Sequence, residues 1–395
     1  LTMGSTSFLY QRYHRTVLIT LGLLVSIILV GCERPLDRAF GDRKEIVIFA
    51  DEANWNLYGD QLKGIFEREV KTPRSELIFR VRHETLDKWQ FFSRYYHLLL
   101  CGAINEDTPT ALRIRELLSD EVEQRIIDEK QGRTIVTRDP YASGQILVII
   151  TADTVDRLSD YLQGASEHIF SQMDEHLDEL ISKLIYREDE QYALEDSLLT
   201  DYDFTLRVPW GFRMNTDFED ENFIRMIKYN LERWFYAYWI PDEEIDDQGF
   251  AWVRALEGLG GQIDRNEEID LTMIDFMGQQ AMALRDYICR LYYDGDQVTR
   301  DQTAATLVEF QGRWAMRLYG LWGNTEKLAG GPFVSYCFYD SDTRRLWWLD
   351  GAVFAPNQPK ETQLRQMDVM LHTFLTGDQA TAYINATKEQ IGARR

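Results

Sequence analysis

The sequence predicts an α+β chain of mixed sheets with packed helices, organised as two α/β-sandwich-like domains. Three observations predict it. Short β-rich runs alternate with amphipathic helical segments along the chain, and some strand pairs are adjacent. A very acidic stretch at 187–203, REDEQYALEDSLLTDYD, divides the elements into two sets. The hydrophobic fraction of 45% and the aromatic fraction of 13% can fill a sizeable core, which excludes a disordered chain.

The first domain is expected over 44–200. It opens on a strand at 45–50 (EIVIFA), followed by a helix at 57–70 whose Leu62, Ile65, Phe66 and Val70 share one face. A strand at 77–81, a helix at 88–96 and a buried strand at 98–104 come next. Residues 111–129 read as one helix, and 134–137 and 145–151 as strands around the turn-rich DPYASG. The longest periodic run follows: Val155, Leu158, Leu162, Ala165, Ile169, Met173, Leu177, Leu180 and Leu184 advance by three or four each time. Asp153 or Thr154 can cap this single long helix. His168, His176, Glu167, Asp174 and Glu175 are expected on its other faces as a solvated charged surface. The two histidines lie eight residues apart, over two turns, too far to share one metal ion without other ligands.

The second domain is expected over 201–380. It starts with a strand at 204–208 that ends in Pro209-Trp210-Gly211. Strands at 223–231 and 233–240 follow. The latter carries apolar side chains on both faces, which predicts a strand covered on both sides. A helix at 271–293, strand-like runs at 304–320, 332–339 and 346–354, and a helix at 361–375 complete it. Residues 381–395 read as a polar tail.

The first forty residues carry an address. Arg12, His14 and Arg15 precede an apolar stretch at 17–30, and no acidic residue occurs before Glu33. The stretch ends in Leu29-Val30-Gly31-Cys32, a lipobox whose small residues admit a processing peptidase and whose thiol takes a diacylglyceryl group. Residues 1–31 are thus expected as a signal peptide and 32–43 as a tether. The apolar stretch covers 14 residues, against about 20 for a helical membrane span. Diacylglycerol plus a further acyl chain such as palmitate is sufficient for stable anchoring. The expected location is the cell envelope, lipid-anchored through Cys32, with an outer-membrane, periplasm-facing position.

Removing residues 1–31 takes away two of the 43 basic and none of the 65 acidic residues, so the remainder carries a net charge of −24. Such a surface repels phosphate backbones, so no nucleic-acid partner is expected. It also argues against lying flat on anionic lipid. Besides Cys32, the cysteines are Cys101, Cys289 and Cys337, each in apolar surroundings. Buried inert thiols are expected, with one disulfide left open.

Chemical signatures are missing from the sequence: there is no Gly-x-Ser-x-Gly, His-Glu-x-x-His, Walker loop or Cys-x-x-Cys. Gly258-Leu259-Gly260-Gly261 lacks dinucleotide spacing and reads as a loop. No catalytic residue, metal site or cofactor is expected. Eight of the ten tryptophans fall in the second domain, where aromatic faces serve either core packing or ligand binding. The segment Tyr319-Gly320-Leu321-Trp322-Gly323, with Gly330-Gly331-Pro332-Phe333 after it, holds the candidate ligand-binding residues: Trp322, Gly330, Gly331, Pro332, Phe333 and Tyr336. Glycines beside a tryptophan predict either backbone packed tightly on the ring or an open pocket floor.

Here the chain resembles a family of lipoproteins, found mostly in Bacteroidota, described as domain of unknown function 4837. The resemblance rests on the lipobox, Trp55 with Gly59-Asp60, and Asp139-Pro140-Tyr141-Ala142 with Gln145. It continues in Gly320-Leu321-Trp322, Gly330-Gly331-Pro332-Phe333, and Val353-Phe354-Ala355-Pro356 before a closing helix. It extends over nearly all of the chain after Cys32. Tyr96-His97 stands where the family has an Arg-Asn pair. The resemblance implies address and architecture, and no activity.

Two functional readings follow. The first is a non-catalytic envelope lipoprotein presenting a rigid domain to a protein partner or envelope polymer. The second is a hydrolase of envelope glycan or peptide, which requires a carboxylate pair in a concave pocket near Trp322 and Phe333. A carrier of an apolar ligand is a third, and requires an empty apolar cavity.

Overall fold

The computed structural model describes residues 35–394 except 188, 216–221, 266, 268 and 294. The expected signal peptide, Cys32 and the start of the tether lie outside the described residues.

The N-terminal half is built on a five-stranded sheet. In chain order its elements are β1 (Glu45–Phe49), α1 (Glu52–Phe66), the short hairpin β2 (Glu69–Val70) and β3 (Glu76–Leu77), and β4 (Arg80–Glu84). Then come α2 (Trp89–Phe92), β5 (His97–Ala103), α3 (Pro109–Leu117), α4 (Asp120–Glu129), β6 (Arg133–Arg138) and β7 (Ile146–Ala152). Two helices close it, α5 (Val155–Gly164) and α6 (Ser166–Ile185). The strand order is β4-β1-β5-β7-β6, parallel except for β6. β5 and β7 are buried along their whole length. This is why HLLLCGA and ILVIITA read as unbroken apolar runs: helices cover both faces of a parallel sheet. α1, α5 and α6 pack on one face, while α3, α4 and Trp89 of α2 pack on the other.

Two helices expected as continuous are broken. Residues 111–129 form α3 and α4, because Leu118 turns to an extended conformation and Ser119 caps a new helix through Val122 N. The run 155–184 is interrupted at Ala165 (φ −108°, ψ 16°), which separates α5 from α6 while keeping the apolar stripe in phase. The helix expected at 88–96 is only the short α2.

The C-terminal half contains α7 (Tyr192–Tyr202), β8 (Phe204–Thr205), β9 (Arg213–Asn215), β10 (Phe223–Lys228), β11 (Glu232–Pro241) and α8 (Asp242–Ile245). It continues with α9 (Leu256–Asp264), α10 (Leu271–Tyr292), β12 (Gln297–Phe310), β13 (Arg313–Asn324), β14 (Ala329–Asp340) and β15 (Arg345–Phe354). It ends in α11 (Glu361–Leu371), β16 (Leu375–Thr376) and α12 (Gly377–Arg394). The large sheet is antiparallel in the order β12-β13-β14-β15-β11-β10-β9. α9 and α10 cover one face, where Trp348, Phe333 and Met316 point. α11 covers the other, where Trp347, Tyr336 and Phe338 point. β11 is buried on both faces, as its alternating pattern predicts.

Two further expectations fail. Gly258–Gly261 lies inside α9, not in a loop, and a Cβ at Gly260 would come within 2.0 Å of the Trp314 ring. The glycine lets the helix lie on the indole. Residues 381–395, expected as a polar tail, belong to α12 through residue 394. Ala380 and Ile384 of that helix are buried, and Tyr383 Oη donates to Glu195 Oε2 at 2.8 Å.

Candidate functional site

The six ligand-binding candidates do not form an open pocket together. Trp322 on β13 is 2% exposed, and Phe333 and Tyr336 on β14 are 0% and 2% exposed. Trp322 pairs with Gly331 across the hairpin and Leu321 with Pro332. A Cβ at Gly331 would sit 1.9 Å from the Val353 carbonyl oxygen and 3.2 Å from Trp322 Nε1. The glycine therefore serves close packing of β14 on β15, and no pocket floor lies there. Tyr336 points to the opposite face of the sheet from Trp322 and Phe333. Of the six, Gly330 lines a concavity, an open cleft of about 420 Å³ that it shares with Phe354 and Pro356.

Beneath α10 a polar row crosses the sheet. Ser335, Asp350 and Tyr236 are cross-strand neighbours on β14, β15 and β11. Asp350 accepts from Arg285 Nε at 2.7 Å and from Ser335 Oγ at 2.6 Å. Arg285, one helical turn from Cys289, lies 3.8 Å from the Phe333 ring centroid. Arg285 and Asp350 are 2% and 0% exposed, so water has no access to this centre. It clamps the helix to the sheet.

The open chemistry lies where the two halves meet. A cleft of about 390 Å³ is bounded by α6, α11, β2, β12 and β13. Arg365 on α11 pairs with Asp174 at 2.8 Å and Asp178 at 2.7 Å, both on α6, and with Glu361 at 2.9 Å. Glu361 in turn takes Lys44 Nζ at 2.6 Å. Deeper in, Asp368 accepts from Arg317 at 3.0 Å and from Tyr336 Oη at 2.6 Å, with His372 Nδ1 at 3.4 Å. Burial pushes the Asp178 carboxyl up to about 6, with Arg365 opposing. Burial acts the same way on Asp368, yet Arg317, His372 and Tyr336 outweigh it and hold that carboxyl well below its ordinary range. Two carboxyls of one cleft are thus driven apart in acidity.

α11 is positioned from both halves. Its first backbone N–H groups, at Lys360 and Glu361, donate to the Glu76 carboxylate of β3 at 2.8 and 3.1 Å. A carboxylate from a distant strand thereby satisfies a helix N-terminus. None of these partners carries a sequence motif. The pairs that join the two halves span 187 to 317 positions, and only the fold brings them together.

His176 corrects the expectation of a solvated face. It is buried, and its Nδ1 lies 3.0 Å from Nε2 of buried His97. Burial first holds both rings below their ordinary value, followed by the charge of His176 for His97 and of Arg138 for His176, which is brought down to about 4. His168 is exposed. Among the described residues no group of three or more His, Cys, Asp or Glu is placed to hold a metal ion. Cys101, Cys289 and Cys337 are buried free thiols.

Residues 268–373, comprising α10, β12 to β15 and α11, match the family model described as domain of unknown function DUF4837. That segment matches DUF4837. The DUF4837 match does not extend into the N-terminal half: residues 39–184 match a different model, domain of unknown function DUF8532. The DUF4837 segment supplies four of the seven strands of the large sheet, and β11, β10 and β9 precede it in the chain. Among curated proteins there is no match. Distant likenesses occur among solved structures. A protein of Bacteroides thetaiotaomicron VPI-5482 is 10% identical over 45% of this chain and 46% of its own, with a TM-score of 0.24. The PsbP of Synechocystis sp. PCC 6803 is 9% identical over 44% of this chain and 87% of its own, with a TM-score of 0.27. The Ran-binding protein Mog1p of Saccharomyces cerevisiae is 10% identical over 45% and 92%, with a TM-score of 0.26. The chain spans about half the length of the first of these. Likenesses this slight carry neither activity nor partner across.

Proposed function

We propose that this chain is an envelope protein, lipid-anchored through Cys32, whose folded part is a non-catalytic binding or scaffolding unit for a protein partner or an envelope polymer. One observation carries the binding part. Arg365 ties α11 to Asp174 and Asp178 of the other half, beside the Arg317–Asp368 pair, which favours a rigid presented surface. The anchoring part rests on the lipobox and the short apolar stretch before it. Metabolic labelling with a palmitate analogue tests the anchor: label is expected on the natural chain and none on Cys32→Ala. Equal labelling of both would remove the anchor. Crosslinking in the native envelope tests the binding: a discrete adduct is expected, and its absence under several chemistries counts against a partner.

A second reading is favoured by one feature of the cleft. Asp178, pushed up to about 6, and Asp368, held low, differ in acidity in the sense that the acid and the base of a hydrolase do. Under this reading the carboxylates act on envelope glycan or peptide in the cleft between the halves, and not beside the packed Trp322 and Phe333. Release of soluble fragments from purified envelope glycan, abolished in Asp178→Asn, would establish it. No release by the natural chain would end it.

A further inference from the structure

β12 is the outermost strand of the large sheet, and among the described residues it pairs on one side only, with β13. Its register shifts between Thr299 and Ala304, where Thr303 folds over Gly320; a Cβ at Gly320 would meet Thr303 Oγ1 at 2.2 Å. Beyond that bulge, residues 304–310 (AATLVEF) pair with β13 in unbroken register. Ala304, Thr306 and Glu309 of this stretch are exposed. Exposed edges in natural sheets are normally blunted by proline, lysine or a bulge. Here the straight segment has no proline, glycine or lysine, and Glu309 is its one charge. Beyond its bulge such an edge presents alternate backbone N–H and C=O groups ready to pair with an extended chain.

The edge runs beside the cleft. Ala304 and its cross-strand partner Tyr319 both line it, and Arg317, partner of Thr306, lies on its wall. The lining carries five carboxylates, Glu69, Asp174, Asp178, Glu361 and Asp368, against the three cations Lys71, Arg317 and Arg365, and with Lys44 bound to Glu361 from outside the lining one acidic charge is left in excess. That imbalance favours a cationic side chain. Phe170 and Tyr319 offer apolar surface for its aliphatic stem.

We propose that the free edge of β12 takes up an extended segment of a protein partner by strand addition, with a lysine or arginine of that segment seated in the acidic cleft. The proposal rests on the binding reading above and names its surface and its partner's chemistry. Backbone pairing supplies affinity, and the cleft supplies register, since a one-residue slip turns the cationic side chain to the other face.

The test pans displayed random peptides on the full chain in detergent, then measures the enriched peptides, made synthetically, by fluorescence polarisation. Enriched sequences are expected to alternate β-branched or aromatic residues and to share one lysine or arginine. Replacing that residue by glutamate is expected to weaken binding about tenfold. Thr306→Pro and Leu307→Pro are compared because neighbouring N–H groups point to opposite sides of a strand. One of the two removes an outward donor without touching the β12–β13 ladder, and that folded variant is expected to lose binding about tenfold. Photocrosslinking of the peptide to the unaltered chain, expected to map to 304–310, needs no variant at all. Crosslinks elsewhere, binding indifferent to the proline of a folded variant, enrichment without a basic residue, or no enrichment would each overturn the proposal. So would a concentration-dependent dimer abolished by the same proline, which would make a second copy the occupant. The native-envelope crosslink is scored separately, so this surface can fail while the binding reading stands.

Discussion

Replacing Arg285 by methionine isolates the energetics of the second half. Asp350 is fully buried and is held by two side chains, Arg285 through Nε at 2.7 Å and Nη2 at 3.5 Å, and Ser335 through Oγ at 2.6 Å. In Arg285→Met the hydroxyl remains and the counter-charge is lost. Stranding one member of a buried pair costs about 3–5 kcal/mol. With a urea slope of about 2 kcal/mol/M, the unfolding midpoint falls by roughly 2 M. Arg285→Met combined with Asp350→Leu removes both charges and leaves only the Ser335 hydroxyl unmatched, a cost of about 1 kcal/mol. The double variant is therefore expected to recover most of the loss. Tryptophan emission is the readout, because eight of the ten tryptophans lie after residue 201 and report mainly on this half. A single variant whose midpoint stays within about 0.5 M of the natural chain, or a double variant no better than the single, would refute the reasoning.

Three further outcomes are expected. Gly331→Ala, whose methyl would meet the Val353 carbonyl, should lose about 1–3 kcal/mol by urea titration, and an unchanged midpoint would show that β14 can shift. Glu76→Gln should raise hydrogen exchange at the first turn of α11 and cost about 0.5–2 kcal/mol, because a charged cap is lost. For His176, the folded ring binds its proton less readily than the unfolded one, whose ordinary value is 6.5. Its contribution to stability therefore rises as pH rises from about 4 to 6.5 and is complete above that window. The difference in unfolding free energy between the natural chain and His176→Leu should grow over the same window, and a flat difference would contradict it.

The sheets were the legible part of this chain. β5, β7 and β11 announce themselves because burial on both faces forces continuous apolar runs, and α10 because its stripe has a helical period. The helix breaks were hidden, since α5 and α6 keep one stripe in phase across Ala165 and periodicity cannot register a bend. Glycine misled at 258–261, where the residue type suggested a loop and the Trp314 ring explains it. α12 was missed because most of its surface is polar. Its half-buried Tyr383 bonds Glu195, a carboxylate that burial pushes up to about 7. The cleft was illegible for a different reason. Arg365, Asp178 and Glu76 are ordinary charged residues in sequence, and only contacts across nearly the whole chain distinguish them. His176 shows the converse: a residue placed by type on a wet surface finds its partner His97 inside.

The grip of Glu76 and α6 on α11 bears on how such a chain can be inherited. The helix that ends the DUF4837 segment borrows its N-terminal acceptor from β3 and two of its arginine's partners from α6, all within the DUF8532 segment. A genetic exchange that moved either segment alone would leave an uncapped helix on one side and unpaired carboxylates on the other. The two segments are therefore expected to travel together between genomes, and to drift in step at 76, 174, 178 and 365.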